Sequence, residues 1–243
     1  MIRAHHRAAF VQLKRDIPIV MVAAALIAIV GSITISARSW GVFGPIITGV
    51  STQEKIVALT FDDGPTQPQT SRILSILRQE QIKATFYLIG VEMVRSPQAT
   101  DDIIAGGHEI GNHSYTHNSL MFMTWDRLAA EIERTDALIR QHGYGGPITI
   151  RPPYGHKLFE LPTYTALHHR QLIMWDRVLG NEPDITVPEI LDDAKKIRPG
   201  SIVIMHVMYD HNKTTLDSVK PLITQLKSRG YTFVTVSELL NYH

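Results

Sequence analysis

The sequence predicts an α/β fold, a parallel barrel of alternating strands and helices behind a single N-terminal apolar helix. Three observations lead there. Short runs rich in β-branched and aromatic residues alternate with longer stretches of helical periodicity through residues 54–243. The residues best suited to chemistry sit at the downstream ends of those runs, where parallel β/α folds gather their functional groups. Finally, residues 17–37 carry no charge, and 17–35 is almost wholly apolar.

The N-terminal stretch comes first in the chain. Twenty helical residues rise about 30 Å, enough to cross the hydrocarbon core of a bilayer. Arg3, Arg7, Lys14 and Arg15 precede the stretch, so residues 1–16 are expected as a cytoplasmic basic tail and 17–37 as an uncleaved transmembrane anchor. The remainder would then lie outside the cell membrane. Secretion after signal-peptide cleavage is the alternative. Against it, the apolar run exceeds a usual signal core and no clear Ala-x-Ala site precedes Arg38. Residues 38–53, with Gly41, Gly44, Pro45 and Gly49, are expected as a linker. Strands are expected at 56–61, 84–89, 108–112, 148–151, 172–175, 201–206 and 232–236. Helices are expected at 70–80, 98–105, 125–141, 161–169, 188–196 and 216–228. Ile73, Leu74 and Leu77 illustrate the apolar stripe of one such helix.

The run Thr60-Phe61-Asp62-Asp63-Gly64-Pro65 closes the first of these strands. Neighbouring side chains on a strand point to opposite faces, but where the chain turns both carboxylates can aim into one pocket. Two negative charges so close need a positive group between them, and a divalent metal is the usual one. His113 and His117 are four apart, a spacing that places two imidazoles on one side of a helical turn. With one carboxylate of the Asp62/Asp63 pair they offer two nitrogens and an oxygen and leave room for water and substrate. That donor set suits a catalytic Zn2+, with Mn2+, Co2+ or Fe2+ also compatible by ligand type. Arg151-Pro152-Pro153-Tyr154-Gly155 and Ile204-Met205-His206 follow, again at the ends of strand-like runs.

These four motifs, in this order, resemble the polysaccharide deacetylases of the NodB-homology type, carbohydrate esterase family four. The resemblance covers about residues 54–240, including the closing Gly230-Tyr231-Thr232-Phe233-Val234 run. It implies an irregular (β/α)7 barrel and hydrolysis of N-acetyl groups with the help of a divalent metal. It also implies Asp63, His113 and His117 as metal ligands, and Asp62 as the base that takes a proton from water. Arg151 would hold Asp62 in place and keep it ionised, and His206 would protonate the leaving amine. The substrate side would be the backbone N–H of Tyr154, donating to the developing oxyanion, and Ile204, lining the acetyl-methyl pocket. Trp175 is expected chiefly in the core, with a place in the substrate site as its other reading. One departure stands out. The family commonly has an Asp-Trp pair after the strand ending at Trp175, its aspartate tuning the catalytic histidine, and Asn181 and Glu182 stand there instead. Asp176 is the candidate replacement, the alternative being a His206 that is a weaker acid-base group than its family counterparts.

Charge agrees with an extracellular enzyme. Residues 1–38 carry five Lys/Arg and one acidic residue, whereas the remaining 205 carry 19 Lys/Arg and 22 Asp/Glu. A slightly acidic domain offers no basic stripe for nucleic acid. No cysteine is present, so thiolate ligands, thiol nucleophiles and disulfides are excluded. The expected partner is a polymeric N-acetylated glycan, peptidoglycan first, with chitin oligomers, other exopolysaccharides and O-acetylated xylan as alternatives. The protein is expected to be monomeric, and a non-catalytic glycan-binding relative is the contrasting reading.

Overall fold

The structure, a computed structural model, describes residues 44–242 together with Met21, Val22 and Ala25. The chain divides into two units, Met1–Ala37 and Arg38–His243. The basic tail, the anchor apart from those three helical residues, and the first part of the linker lie outside the described residues. Among the described residues no helix is long and apolar enough to cross a membrane.

The second unit is an α/β domain in which, among the described residues, the named strands pair in parallel and one isolated antiparallel bridge joins Gly49 to Ser201. In chain order its strands are β1 (Ile46–Ile47), β2 (Ile56–Asp62), β3 (Thr85–Leu88), β4 (Glu109–Asn112), β5 (Leu172–Ile173), β6 (Arg177–Val178), β7 (Ser201–His206) and β8 (Thr232–Val234). The helices are α1 (Gln69–Gln79), α2 (Gly90–Arg95), α3 (Pro97–Ala105), α4 (Trp125–Gln141), α5 (Glu160–Leu167), α6 (Val187–Asp193), α7 (Lys213–Ser228) and α8 (Val236–Leu239). The sheet runs β4-β3-β2-β7-β6, with β8 joining the first half of the β2 edge that β3 occupies further on. β1 pairs with β5. Parallel bridges from Ile150 to Asn112 and to Leu172 link the two groups.

β2 is buried along its whole length, as a strand covered on both faces must be. Its alternation decides where the chemistry lies. Val57, Leu59 and Phe61 pack outward with Ile73 and Leu77 of α1 and with Val219, Leu222 and Ile223 of α7. Ile56 and Ala58 turn inward with Tyr87, Ile173 and Ile202. The same period carries Thr60 and Asp62 inward. On β7, Val203 and Met205 join the outer core, so Ile202, Ile204 and His206 share the inner face. Register finishes the placement, for Asp62 stands opposite both Tyr87 and His206, and Leu88 opposite Asn112.

Several expected boundaries shift for identifiable reasons. α4 begins and ends at the expected residues, and most other helices agree within a turn. Within 148–151 only Ile150 makes isolated bridges and no strand forms, since Pro152 and Pro153 follow at once and supply no N–H. Ile46–Ile47, inside the expected linker, pairs with β5. α2 and β6 had no counterpart in the periodicity, being only six and two residues long.

Candidate active site

The strand ends converge on a cleft of about 370 Å³ lined by Asp62, Asp63, His113, His117, Tyr154, Gly155, Trp175, Val178, Asn181, Ile204 and His206. Asp62 is the last residue of β2, and Asp63 takes φ 74°, a left-handed conformation that turns the second carboxylate toward the first. Both acids face one cavity for the reason anticipated from the sequence.

His113 and His117 reach the same cavity by a different route. Residues 113–117 do not form the expected helical turn. They make a non-helical bend with Ser114 at φ 66° and His117 at φ 61°. Ser114 Oγ accepts from His117 N at 3.1 Å, closing it. The imidazoles still meet, their ring centroids 5.1 Å apart. Asp63 Oδ1 lies 3.1 Å from His117 Nε2 and 3.7 Å from His113 Nε2, and Asp62 Oδ2 lies 3.8 Å from His113 Nε2.

The protonation states are set by neighbours. His113 Nδ1 lies 2.8 Å from the Arg151 carbonyl oxygen, which can only accept, so Nδ1 carries the proton and Nε2 presents its lone pair to the cavity. Burial pushes the His113 imidazole below its usual pKa and outweighs the opposing pull of Asp62 and Asp63, so the ring is neutral. For Asp63 burial acts to raise the carboxyl. Its contact with His117 and the nearby His113 and His206 outweigh that and hold it below its ordinary value. Asp63 Oδ1 is nonetheless buried without a well-formed hydrogen bond. A buried carboxylate oxygen that lacks a donor, with two imidazole nitrogens beside it, fits a divalent cation. Among the described residues Asp63, His113 and His117 place one donor atom each within 4.8 Å of the others.

Arg151 is fully buried and organises the opposite wall. Its Nη1 donates to Asp62 Oδ1 at 2.5 Å and to Thr60 Oγ1 at 2.7 Å, and its Nη2 donates to the Met174 carbonyl at 3.1 Å. The guanidinium lies 4.0 Å from the centre of the Tyr87 ring. Asp62 is therefore fixed by one oxygen while the other faces the imidazoles. Tyr154 takes φ 61° in the Pro153–Gly155 3-10 turn, and its exposed ring stands 4.9 Å from that of His117. A non-glycine residue held in this conformation beside a cleft is strain of the kind found at functional sites. The next residue, Gly155, has no room for a side chain, because a Cβ there would come within 2.8 Å of Trp175 Cη2. Trp175 itself is half-buried and lines the cleft, so its reading as core alone is incomplete.

His206 ends β7 on the inner face, and its Nδ1 is buried with no hydrogen-bond partner. Asp176 does not replace the absent aspartate. Its carboxylate accepts from Ser201 Oγ at 2.9 Å and from Ile202 N at 3.1 Å, at the far end of β7. Asn181 lines the cleft and Glu182 does not. Three further residues matter here that sequence reasoning passed over. Val178 enters the cleft from the unanticipated β6, and Thr60 shares the Arg151 guanidinium with Asp62. Asn112 accepts from Ser114 N through Oδ1 and donates through Nδ2 to the Ile132 carbonyl and to Asp136. The only signal for Asn112 was its place next to His113.

Comparison with known proteins agrees with this geometry. The pattern of the family described as Polysaccharide deacetylase matches residues 49–169. A peptidoglycan-N-acetylglucosamine deacetylase of Bacillus cereus is 32% identical over 203 residues, covering 82% of this chain and 94% of that protein. The peptidoglycan-N-acetylglucosamine deacetylase PgdA of Listeria monocytogenes is 34% identical over 190 residues, covering 76% of this chain but only 39% of the longer relative. The crystal structure of the peptidoglycan N-acetylglucosamine deacetylase Bc1960 superposes with a TM-score of 0.76 at 30% identity, covering 81% of this chain and 93% of that one. With the motifs, the parallel sheet and the overlap over nearly the whole of two relatives in agreement, the chain belongs to the polysaccharide deacetylase family and is a deacetylase.

Proposed function

We propose that this chain hydrolyses N-acetyl groups of amino sugars in peptidoglycan, releasing acetate and leaving a free amine, with a divalent metal held by Asp63, His113 and His117. The observation that carries this reading is the buried, donor-less Asp63 Oδ1 beside two imidazole nitrogens. When bound, such an ion, Zn2+ first, polarises the acetyl carbonyl and makes water nucleophilic at neutral pH. The chain's own residues supply the rest. Asp62, held at one oxygen by Arg151, takes the proton of the attacking water with the other. The Tyr154 backbone N–H faces the carbonyl oxygen as negative charge gathers there. Ile204 and Trp175 exclude water around the acetyl methyl, and His206 gives a proton to the departing nitrogen. The domain adopts the irregular (β/α)7 arrangement of its family. It acts as a monomer outside the cell, tethered through residues 17–37, with no nucleic-acid partner.

The choice of peptidoglycan follows the names of the relatives and an anchor that would hold the domain beside a wall. Acetate release from peptidoglycan, chitin oligomers and acetylated xylan, before and after chelation and with each divalent ion restored, tests it. Release should be greatest from peptidoglycan, vanish on chelation and return with Zn2+. Undiminished release from fully metal-free protein would refute the metal role, and a preference for xylan would refute the substrate.

A further inference from the structure

The bend carrying the two imidazoles has almost none of the support a helix would give it, yet it holds Ser114 and His117 in left-handed conformations. Backbone groups in such a bend lack the ladder of a helix and need other partners. The carbonyls are met by the start of α2, where Gly90 N donates to Ser114 O at 3.0 Å and Val91 N to Tyr115 O at 2.9 Å. The approach requires a glycine, for a Cβ at Gly90 would fall 2.4 Å from Tyr115 Cδ2. Ser114 N and His117 N are met locally, by Asn112 Oδ1 and Ser114 Oγ, and the Tyr115 and Thr116 N–H groups by one side chain on α4. Glu131 Oε2 accepts from Tyr115 N at 3.0 Å and Thr116 N at 2.8 Å, and Oε1 accepts from Thr116 Oγ1 at 2.9 Å. Both carboxylate oxygens are thus committed to Tyr115 and Thr116, two of the three residues between the imidazoles. Arg134, one turn along the same helix, lies over the Tyr115 ring at 3.6 Å and presses the bend from the same side.

We infer that Glu131 is a positioning residue for the metal site, fixing the spacing of His113 and His117 by holding the Tyr115–Thr116 backbone from α4. It touches neither substrate nor metal. The inference rests on the reading of Asp63, His113 and His117 as ligands. An imidazole pair set by a bend can spread when the bend relaxes, which a helical pair cannot do. The loss should therefore appear as weaker and distorted metal binding rather than as unfolding.

The test is Zn2+ and Co2+ titration of metal-free full-length protein by calorimetry, with the visible spectrum of the Co2+ form as a report on ligand geometry. Substitutions outside the ligand shell typically weaken metal affinity by about 10–100-fold. Glu131→Ala should fall in that range with an altered Co2+ spectrum, while the metal-free protein melts near the wild type. Glu131→Gln keeps an acceptor for the two N–H groups and should lie between, and Thr116→Val removes one bond and should have the smallest effect. His117→Ala separates the two readings. If it binds Zn2+ as tightly as wild type, the ligand assignment fails. If it loses Zn2+ while a folded Glu131→Ala or Glu131→Gln keeps wild-type affinity and spectrum, the positioning role is overturned. Should Glu131→Ala not fold, wild-type binding by Glu131→Gln and Thr116→Val together would overturn it equally.

Discussion

Replacing Arg151 by methionine isolates what its buried guanidinium does. The side chain is 0% exposed and Asp62 is 1% exposed, so the pair lies wholly out of water. Removing the cation leaves a buried carboxylate with no counter-charge and the Met174 carbonyl without its donor, while Thr60 Oγ1 keeps its own bond to the Val203 carbonyl at 2.7 Å. Breaking a buried ion pair from one side typically costs about 3–5 kcal/mol. For a domain of this size one kcal/mol corresponds to roughly 2–4 °C, so the melting temperature should fall by roughly 6–20 °C. The assay is thermal unfolding with chelator present, so that no bound cation compensates Asp62. The physical cause is then checked by the double variant. Asp62→Asn removes the stranded charge, so Asp62→Asn/Arg151→Met should be more stable than Arg151→Met alone. A single variant that melts within about 2 °C of wild type, or a double variant whose losses simply add, would refute the reasoning.

Two further outcomes are expected. His206→Ala should keep its metal but lose about 10²–10⁴ in rate on an N-acetyl sugar, and less on an activated acetyl ester whose leaving group departs without protonation. Metal loss, or equal undiminished rates on both substrates, would remove His206 from the role of acid. His108 concerns stability instead. Burial, reinforced by Lys83, pushes its imidazole from 6.5 to about 4. Between those values the unfolded chain binds a proton that the folded one refuses, so stability should fall as pH drops from 6.5 toward 4, by up to about 1.4 kcal/mol per pH unit. His108→Asn retains an acceptor for Ala84 N and does not titrate, so urea midpoints at pH 7 and pH 5 should differ less in it than in wild type. Equal differences in both proteins would show that another group governs the acid limb.

The alternation of the chain was legible because it rests on local rules. β2 and β7 are mostly apolar, buried runs whose expected bounds agree with the structure almost to the residue, and α4 carries Leu128, Ile132 and Ile139 on one buried stripe. What escaped was short or set by distant partners. β1 and β6 are two residues each, too brief for a periodic signal, and exist because neighbouring strands offer free edges. The 113–117 bend was misread as helix because four-residue spacing is compatible with either form. The bend with its left-handed Ser114 and His117 shares hydrogen bonds with Glu131 and with the start of α2, contacts that no local pattern announces.

By itself, the sequence determined the chemical inventory and its order: two adjacent carboxylates at a strand end, two histidines, an Arg-Pro-Pro-Tyr motif and a late histidine. Those features depend on residue identity and on the two-residue period of a strand, both local properties. Only the tertiary structure decided which oxygen does what. Arg151 reaches Asp62 across 89 positions of chain and takes one carboxylate oxygen, while parallel register places His206 opposite Asp62. It also decided that Asp176 serves Ser201 and Ile202 rather than His206. Hydrogen bonds and ion pairs fall off within a few ångströms, so a partner at a distant position in the chain is fixed only once the strands have paired.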